Sequence, residues 1–385
     1  MGSSERQKIG ILFNFNKNWL GGVYYIINII RSLNYLKEDD KPEIIVFYNQ
    51  ELASFIKEIK YPYLTLVPYS FPNIYKGYFQ SWLTRKNVFI NDILKTYQLD
   101  GIYPLNDQPI SINQKITKNT VIPAWFADLQ HRFYPKFFTK KQWWLREIKL
   151  RLILKNTRHL AVSSNDVASH FKRFYKIKKG LKIHVLQFVS IIDDFSLEHF
   201  DTLKTKFALP DQYFIVSNQF HQHKNHLTVW KAVAQLIKEG QSIRILVTGK
   251  MENFGNKNYI QELRDYIAKH KLQKSIQLLG VVPRQDQLCL MKNATAVIQP
   301  SLFEGWSTVI EDAKSLQVPV IASNLEVNKE QLGSMGYFFN AEDENELASL
   351  LQSFKPISSS IIYAPYAERV QYFAENFIRL FNPSA

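Results

Sequence analysis

Apolar positions fall into short runs separated by stretches with helical spacing. Runs at 8–13, 43–48, 101–104, 121–125, 159–163 and 183–186 predict strands, with helical stretches between them. A polar loop leads to the pair Gly21-Gly22, after which the spacing predicts a helix over 23–36. Ser164 reads as the cap of a second helix over 164–175. Residues 187–205 carry no clear period and read as a linker. The alternation then restarts, with strands at 213–217, 243–248, 276–278, 296–300 and 318–322 and helices at 225–238, 259–270, 286–292 and 308–316. Residues 366–381 have the stripe of one long amphipathic helix. Strand and helix in strict alternation predict parallel sheets. The expectation is an α/β protein with two Rossmann-like domains facing across a cleft, residues 1–190 and 191–365. Residues 366–385 hold a last helix.

Length agrees with two domains, since 385 residues exceed what one core usually supports. Cys289 is the sole cysteine, which excludes an internal disulfide framework and a cysteine-based zinc site. The start of the chain is polar and lacks the apolar run of a signal peptide. No apolar run approaches the ~20 residues of a membrane span. A cytoplasmic protein, peripheral at the inner face of a membrane, is the expectation. Charge is uneven: residues 1–190 hold 29 Lys+Arg against 13 Asp+Glu, whereas 191–385 hold 19 against 21. A basic first half suggests an anionic partner.

The richest stretch chemically is Glu304-Gly305-Trp306-Ser307-Thr308-Val309-Ile310-Glu311. It lies between a predicted strand and a predicted helix. Open parallel sheets bind ligands at the carboxyl ends of their strands. A helix start offers unpaired N–H groups and the positive end of the dipole, which suit phosphate. A carboxylate there repels phosphate, so Glu311 is expected to face a ribose diol. The ligand this implies is a nucleotide diphosphate.

Further motifs carry a resemblance. Ser217-Asn218-Gln219-Phe220-His221-Gln222-His223-Lys224-Asn225-His226 follows one strand, and Pro319-Val320-Ile321-Ala322-Ser323 follows the two-glutamate element. Gly21-Gly22 precedes a helix, and Ala127-Asp128-Leu129-Gln130-His131 lies in the first half. In this order the chain resembles glycosyltransferase family 4, retaining enzymes of the GT-B fold. The resemblance implies transfer of a sugar from a UDP- or GDP-sugar to a glycan or lipid-linked glycan in surface polysaccharide synthesis, with retained anomeric configuration. It implies that the last helix, 366–385, crosses back to the first domain, and it implies catalytic roles for Glu304, His131 and Lys224. It implies donor-binding roles for Gly21, Gly22, Gly249, Lys250, Val282, Gly305, Trp306, Ser307, Thr308, Val309 and Glu311. One departure is Gln219, where the family commonly has an arginine that helps hold the donor phosphates.

Many glycosyltransferases hold a divalent metal with Asp-x-Asp, and this chain has no such motif. Lys224, amides near Ser307–Val309 and the Gly21-Gly22 loop are expected to take its place, so no metal and no cofactor is expected. Other readings remain open: a sugar-nucleotide epimerase on the same fold, a binding-only homologue, or a metallohydrolase built on His221, His223 and His226. Residues 132–158 hold nine Lys+Arg and one acidic residue around Trp143 and Trp144. Such a segment suits an anionic membrane surface. The chain shows no recognisable nucleic-acid module, and no nucleic-acid partner is expected.

Overall fold

The computed structural model describes residues 5–17, 19–105, 120–193, 195–197, 200–251, 258–355 and 362–382. The reading of the polar start falls partly on residues 1–4, outside the described residues. Two compact units result. The first comprises Met1–His131, Thr139–Ile191 and Tyr366–Ala385; the second comprises Arg132–Phe138 and Ile192–Pro365. Both are parallel α/β units of the Rossmann kind.

In the first unit, β1 (Lys8–Phe13), β2 (Glu43–Tyr48), β3 (Leu64–Pro68) and β4 (Gly101–Tyr103) form a sheet of order β3-β2-β1-β4. A second sheet has the order β5-β6-β7, from β5 (Ala124–Trp125), β6 (His159–Val162) and β7 (Lys182–Val185). Parallel bridges Gly101↔Val121 and Leu105↔Ala124 join the two sheets at β4. The predicted strand over 121–125 therefore shortens to two residues plus a bridge.

The final helix, Tyr366–Arg379, completes this unit rather than the one preceding it in sequence. Its Val370, Phe373, Ala374 and Phe377 are buried at helical spacing. Phe377 meets Tyr103 at 5.5 Å between ring centroids. Phe381 lies so close to Gly101 that a Cβ there would be 2.1 Å from its ring.

The second unit holds β8 (Phe214–Ser217), β9 (Ile245–Thr248), β10 (Ile276–Gly280), β11 (Ala296–Gln299), β12 (Val320–Ser323) and β13 (Gly336–Phe339). Their order is β10-β9-β8-β11-β12-β13, all parallel. The central strands β8, β9, β11 and β12 are buried throughout, as their unbroken apolar runs require. The strand order reverses between β8 and β11, which leaves a crevice at their carboxyl ends. Part of the predicted linker is helical, at Phe200–Lys206. Among the described residues no helix is long and apolar enough to cross a membrane.

Candidate functional site

The loops after β8 and β11 meet at this reversal point and are tied together by side chains. Asn225, at the start of helix His226–Lys238, takes a left-handed φ of 56°. Asparagine tolerates that region better than most residues. Its Nδ2 donates to the carbonyls of Pro300 at 3.0 Å and Ala341 at 2.7 Å. The Leu302 amide donates to the His223 carbonyl at 2.8 Å. Arg132–Phe138 packs on the same loops: the Tyr134 hydroxyl donates to the Leu302 carbonyl at 3.1 Å, and Phe133 lies 5.3 Å from Phe303.

These ties bring Lys224 and Glu304 together. Lys224 Nζ donates to Glu304 Oε1 at 2.6 Å, and Glu304 is 8% exposed. The same oxygen accepts from Gln299 Nε2 at 2.8 Å. Gln299 in turn donates to Ser301 Oγ at 3.0 Å and accepts from Asn218 Nδ2 at 2.9 Å. A carboxylate removed from water costs several kcal/mol unless paired and hydrogen-bonded. Lys224 and Gln299 supply both needs.

Glu311 lies in the first turn of helix Thr308–Ser315 and is 1% exposed. Its Oε1 accepts from Lys314 Nζ at 3.0 Å and from Gln331 Nε2 at 2.9 Å. Gln331 also clamps the turn before the helix, accepting from the Ser307 amide at 3.1 Å and donating to the Ser307 carbonyl at 2.8 Å. Ser307 Oγ caps the amide of Ile310 at 3.3 Å. The Ser307 amide expected to meet phosphate is therefore committed to Gln331. The amides of Thr308 and Val309 are the helix-start donors left to an anion. Gly305 and Ser307 are buried, and Trp306 is half-buried beside them, 5.9 Å from Lys314 Nζ.

Other expected positions carry structural duties. Gly249 has φ +137°, and a Cβ there would lie 2.1 Å from the Asn218 carbonyl oxygen. Its amide donates to Gly280 at 2.8 Å, so it is spent on the crossing of the strand ends rather than offered to a ligand. Lys250 is half-buried at the end of β9, and its carbonyl accepts from the Phe220 amide at 3.1 Å. Val282 is half-buried in the loop before helix Arg284–Lys292. Gln219 Oε1 accepts from His221 Nε2 at 2.9 Å.

In the first unit, the helix expected to start at 23 starts at Leu20, so Gly21 and Gly22 form its first turn rather than a loop before it. Gly22 is required by Trp19, whose ring would lie 2.6 Å from a Cβ at that position. Trp19 stacks on Trp125, and Trp125 on Tyr25. His131 is fully buried, its Nε2 2.9 Å from Glu147 Oε1. Burial lowers its pKa, while the Glu147 hydrogen bond opposes that shift. Glu147 is also bonded by the Tyr175 hydroxyl.

The three histidines after β8 do not converge. His226 is wholly buried and stacks on Phe220 at 4.3 Å, whereas His221 and His223 stack on each other at 5.7 Å. Among the described residues no group of three or more His, Cys, Asp or Glu is placed to hold a metal. Burial pushes the His226 pKa down to about 3.

Sequence reasoning missed Gln299, Asn225, Lys314 and Gln331. The signal for Gln299 was present: an amide ending a strand otherwise built of Ala, Val and Ile. Such a group at a strand's carboxyl end must find hydrogen bonds there.

Residues 200–359 match the family model described as Glycosyl transferases group 1. The matched residues lie within the second unit. The O-antigen chain mannosyltransferase RfbU of Salmonella typhimurium is 23% identical over 259 residues. That match covers 66% of this chain but 64% of the relative, under two thirds of its length. Among solved structures, sucrose-phosphate synthase from Thermosynechococcus elongatus superposes with a TM-score of 0.70 at 15% identity, covering 98% of this chain and 99% of that one. The Anabaena protein HepE in complex with UDP and glucose gives a TM-score of 0.64 at 17% identity, with 98% of each chain covered. These likenesses show the fold, two Rossmann-like α/β domains of the GT-B class.

Proposed function

We propose that this chain is a retaining glycosyltransferase that moves a sugar from a UDP- or GDP-sugar to a glycan or lipid-linked glycan in surface polysaccharide synthesis. The observation that carries the reading is the pairing of Glu304 with Lys224 and of Glu311 with Gln331 on loops at one strand-reversal point. The group 1 domain match supports it. The acceptor class follows the O-antigen role of the Salmonella relative, and the donor class includes the UDP held by HepE.

In this reading the diphosphate lies over the amides of Thr308 and Val309. Charge grows on the leaving phosphate as the anomeric bond breaks, and donors aimed there in advance lower the barrier most. Lys224 has three donor hydrogens, so it can keep Glu304 while adding a phosphate contact. Lys250 takes the place of the arginine replaced by Gln219. Glu311 accepts from the ribose hydroxyls, the backbone near Val282 faces the base, and Glu304 meets the hydroxyls of the donor sugar. His131, which Glu147 orients within the first unit, is a further catalytic residue of this reading. The leaving phosphate accepts the acceptor's proton on the same face, which retains configuration. Lys224 and the helix-start amides supply the charge that a metal otherwise brings, so turnover proceeds without one. The enzyme works on the cytoplasmic side of a membrane, with helix Lys140–Asn156 and its basic edge toward anionic lipid.

A thermal-shift panel of UDP-, GDP-, ADP- and CMP-sugars tests the donor. At a hundred times its dissociation constant, a bound donor adds about 2.7 kcal/mol. One nucleotide class should stabilise the wild type and leave Glu311→Ala unmoved. An equal response from both proteins would remove Glu311 from the site, and no response from either would end the donor reading. Turnover in excess chelator should be undiminished; loss restored by magnesium would sink the metal-free mechanism.

A further inference from the structure

Helix Ile74–Thr84 is built inside out. Its inward positions are Gly77 and Ser81, both buried, and a Cβ at Gly77 would lie 2.3 Å from the Phe89 ring. The large apolar side chains point the other way. Trp82 is 72% exposed, Tyr75 67%, Leu83 66%, Phe79 62% and Ile74 40%. At 100° per residue these five fall within one half of the helix circumference. A helix of a soluble domain normally does the reverse, burying its large apolar stripe. Contiguous exposed apolar surface of this kind marks an interaction site.

Charge decides the occupant. No Asp or Glu occurs from 59 to 91, while Lys76, Arg85 and Lys86 lie exposed within and just after the helix. A second copy docked on this face by a two-fold axis would bring the same cations against each other with no carboxylate in the segment to pair them. Anionic headgroups would neutralise them. Tryptophan and tyrosine favour the boundary between headgroup and hydrocarbon.

We propose that helix Ile74–Thr84 lies in the interfacial plane of an anionic bilayer, with Tyr75, Phe79, Trp82 and Leu83 inserted and Lys76, Arg85 and Lys86 on the headgroups. This extends the membrane contact proposed for helix Lys140–Asn156, but it stands on a different helix. Asn73 caps the inserting element, its Oδ1 accepting from the amides of Tyr75 and Lys76. Arg85 stops it with a left-handed φ of 53°. The helix is thus ordered before it meets lipid, and no folding entropy opposes binding.

Co-sedimentation of the full chain with vesicles tests this, using phosphatidylcholine alone and phosphatidylcholine mixed equally with phosphatidylglycerol. The wild type should pellet with the anionic vesicles and release in high salt. The double variant Phe79→Ser/Trp82→Ser should partition at least about tenfold more weakly, given the area two aromatic rings bury. Its melting temperature and donor response should match the wild type, so failure here leaves the donor reading intact. Brominated lipid should quench part of the wild-type tryptophan emission, and Trp82→Phe should lose that part. Undiminished binding by the double variant overturns the proposal, as does a wild type that fails to pellet at low salt. Loss of binding in Trp144→Ser but not in the double variant assigns the contact to helix Lys140–Asn156 and overturns it. A wild-type dimer that the double variant converts to monomer, with no vesicle binding, makes the face a self-contact and overturns it too.

Discussion

A single glutamine illustrates how the site is held. Gln331 makes three hydrogen bonds, two to the Ser307 backbone and one to Glu311. Gln331→Leu keeps the bulk and removes all three. About 2–3 kcal/mol of stability should be lost, because a buried amide and a buried carboxylate lose partners. The thermal shift given by the nucleotide donor should shrink even though Gln331 itself need not touch it. A variant with full donor response would show that the turn holds its shape unaided. Lys224→Met leaves Glu304 buried with the Gln299 amide still bonded to it. Transfer should fall by more than a hundredfold, roughly the worth of a lost charge-assisted stabiliser, and a Michaelis–Menten series measures it. Gly249→Ala is expected to cost roughly 2–3 kcal/mol by denaturant titration, from backbone strain and a clash with a carbonyl that cannot move aside.

At the scale of elements, what could be read in the sequence depended on burial. β8, β9, β11 and β12 are covered on both faces, and their apolar runs stood out. The β3 strand is half-buried or exposed along its length, so Leu64–Pro68 shows no run to notice. Helix Ile74–Thr84 escaped because its large apolar face points outward, where a core-seeking pattern does not look. The two glutamates were legible because their frame was local: strand, turn, helix. Gln331 and Asn225 were not, since their partners lie 20 or more and 75 or more residues away. The Gly22 requirement was also hidden, because it comes from a tryptophan ring rather than from a loop. Asn225 now offers a test of the element it starts. Asn225→Ala removes both carbonyl ties and places a Cβ-branched-free but non-asparagine residue at φ 56°. About 2 kcal/mol should be lost. Asn225→Gly should recover the backbone share of that loss and not the hydrogen-bond share, as a chemical-denaturation series of the three proteins would show.

Across the whole molecule, acid should act through buried histidines. His226 is held neutral, with its pKa pushed down to about 3, whereas an unfolded chain takes up that proton near 6.5. Acid therefore favours unfolding: the stability is intact above about 6.5 and is lost as pH falls toward about 3. The slope from this residue approaches about 1.4 kcal/mol per pH unit within that window. His226→Phe, which can still stack on Phe220, should flatten the pH dependence of the melting temperature below 6.5. An unchanged slope would remove His226 from the acid response. The other molecular-scale feature is the path of the chain, which leaves the first unit at Ile191 and returns to it at Tyr366. A protein grows from its N-terminus on the ribosome at roughly 5–20 residues per second. During the synthesis of residues 192–365, β4 therefore waits without the Phe377 and Phe381 rings that cover Tyr103 and Gly101. The second unit can finish folding first, although it is made later than most of the first. A nascent chain stalled before Tyr366 would display to chaperones and proteases a bare aromatic-lined seat that helix Tyr366–Arg379 later covers.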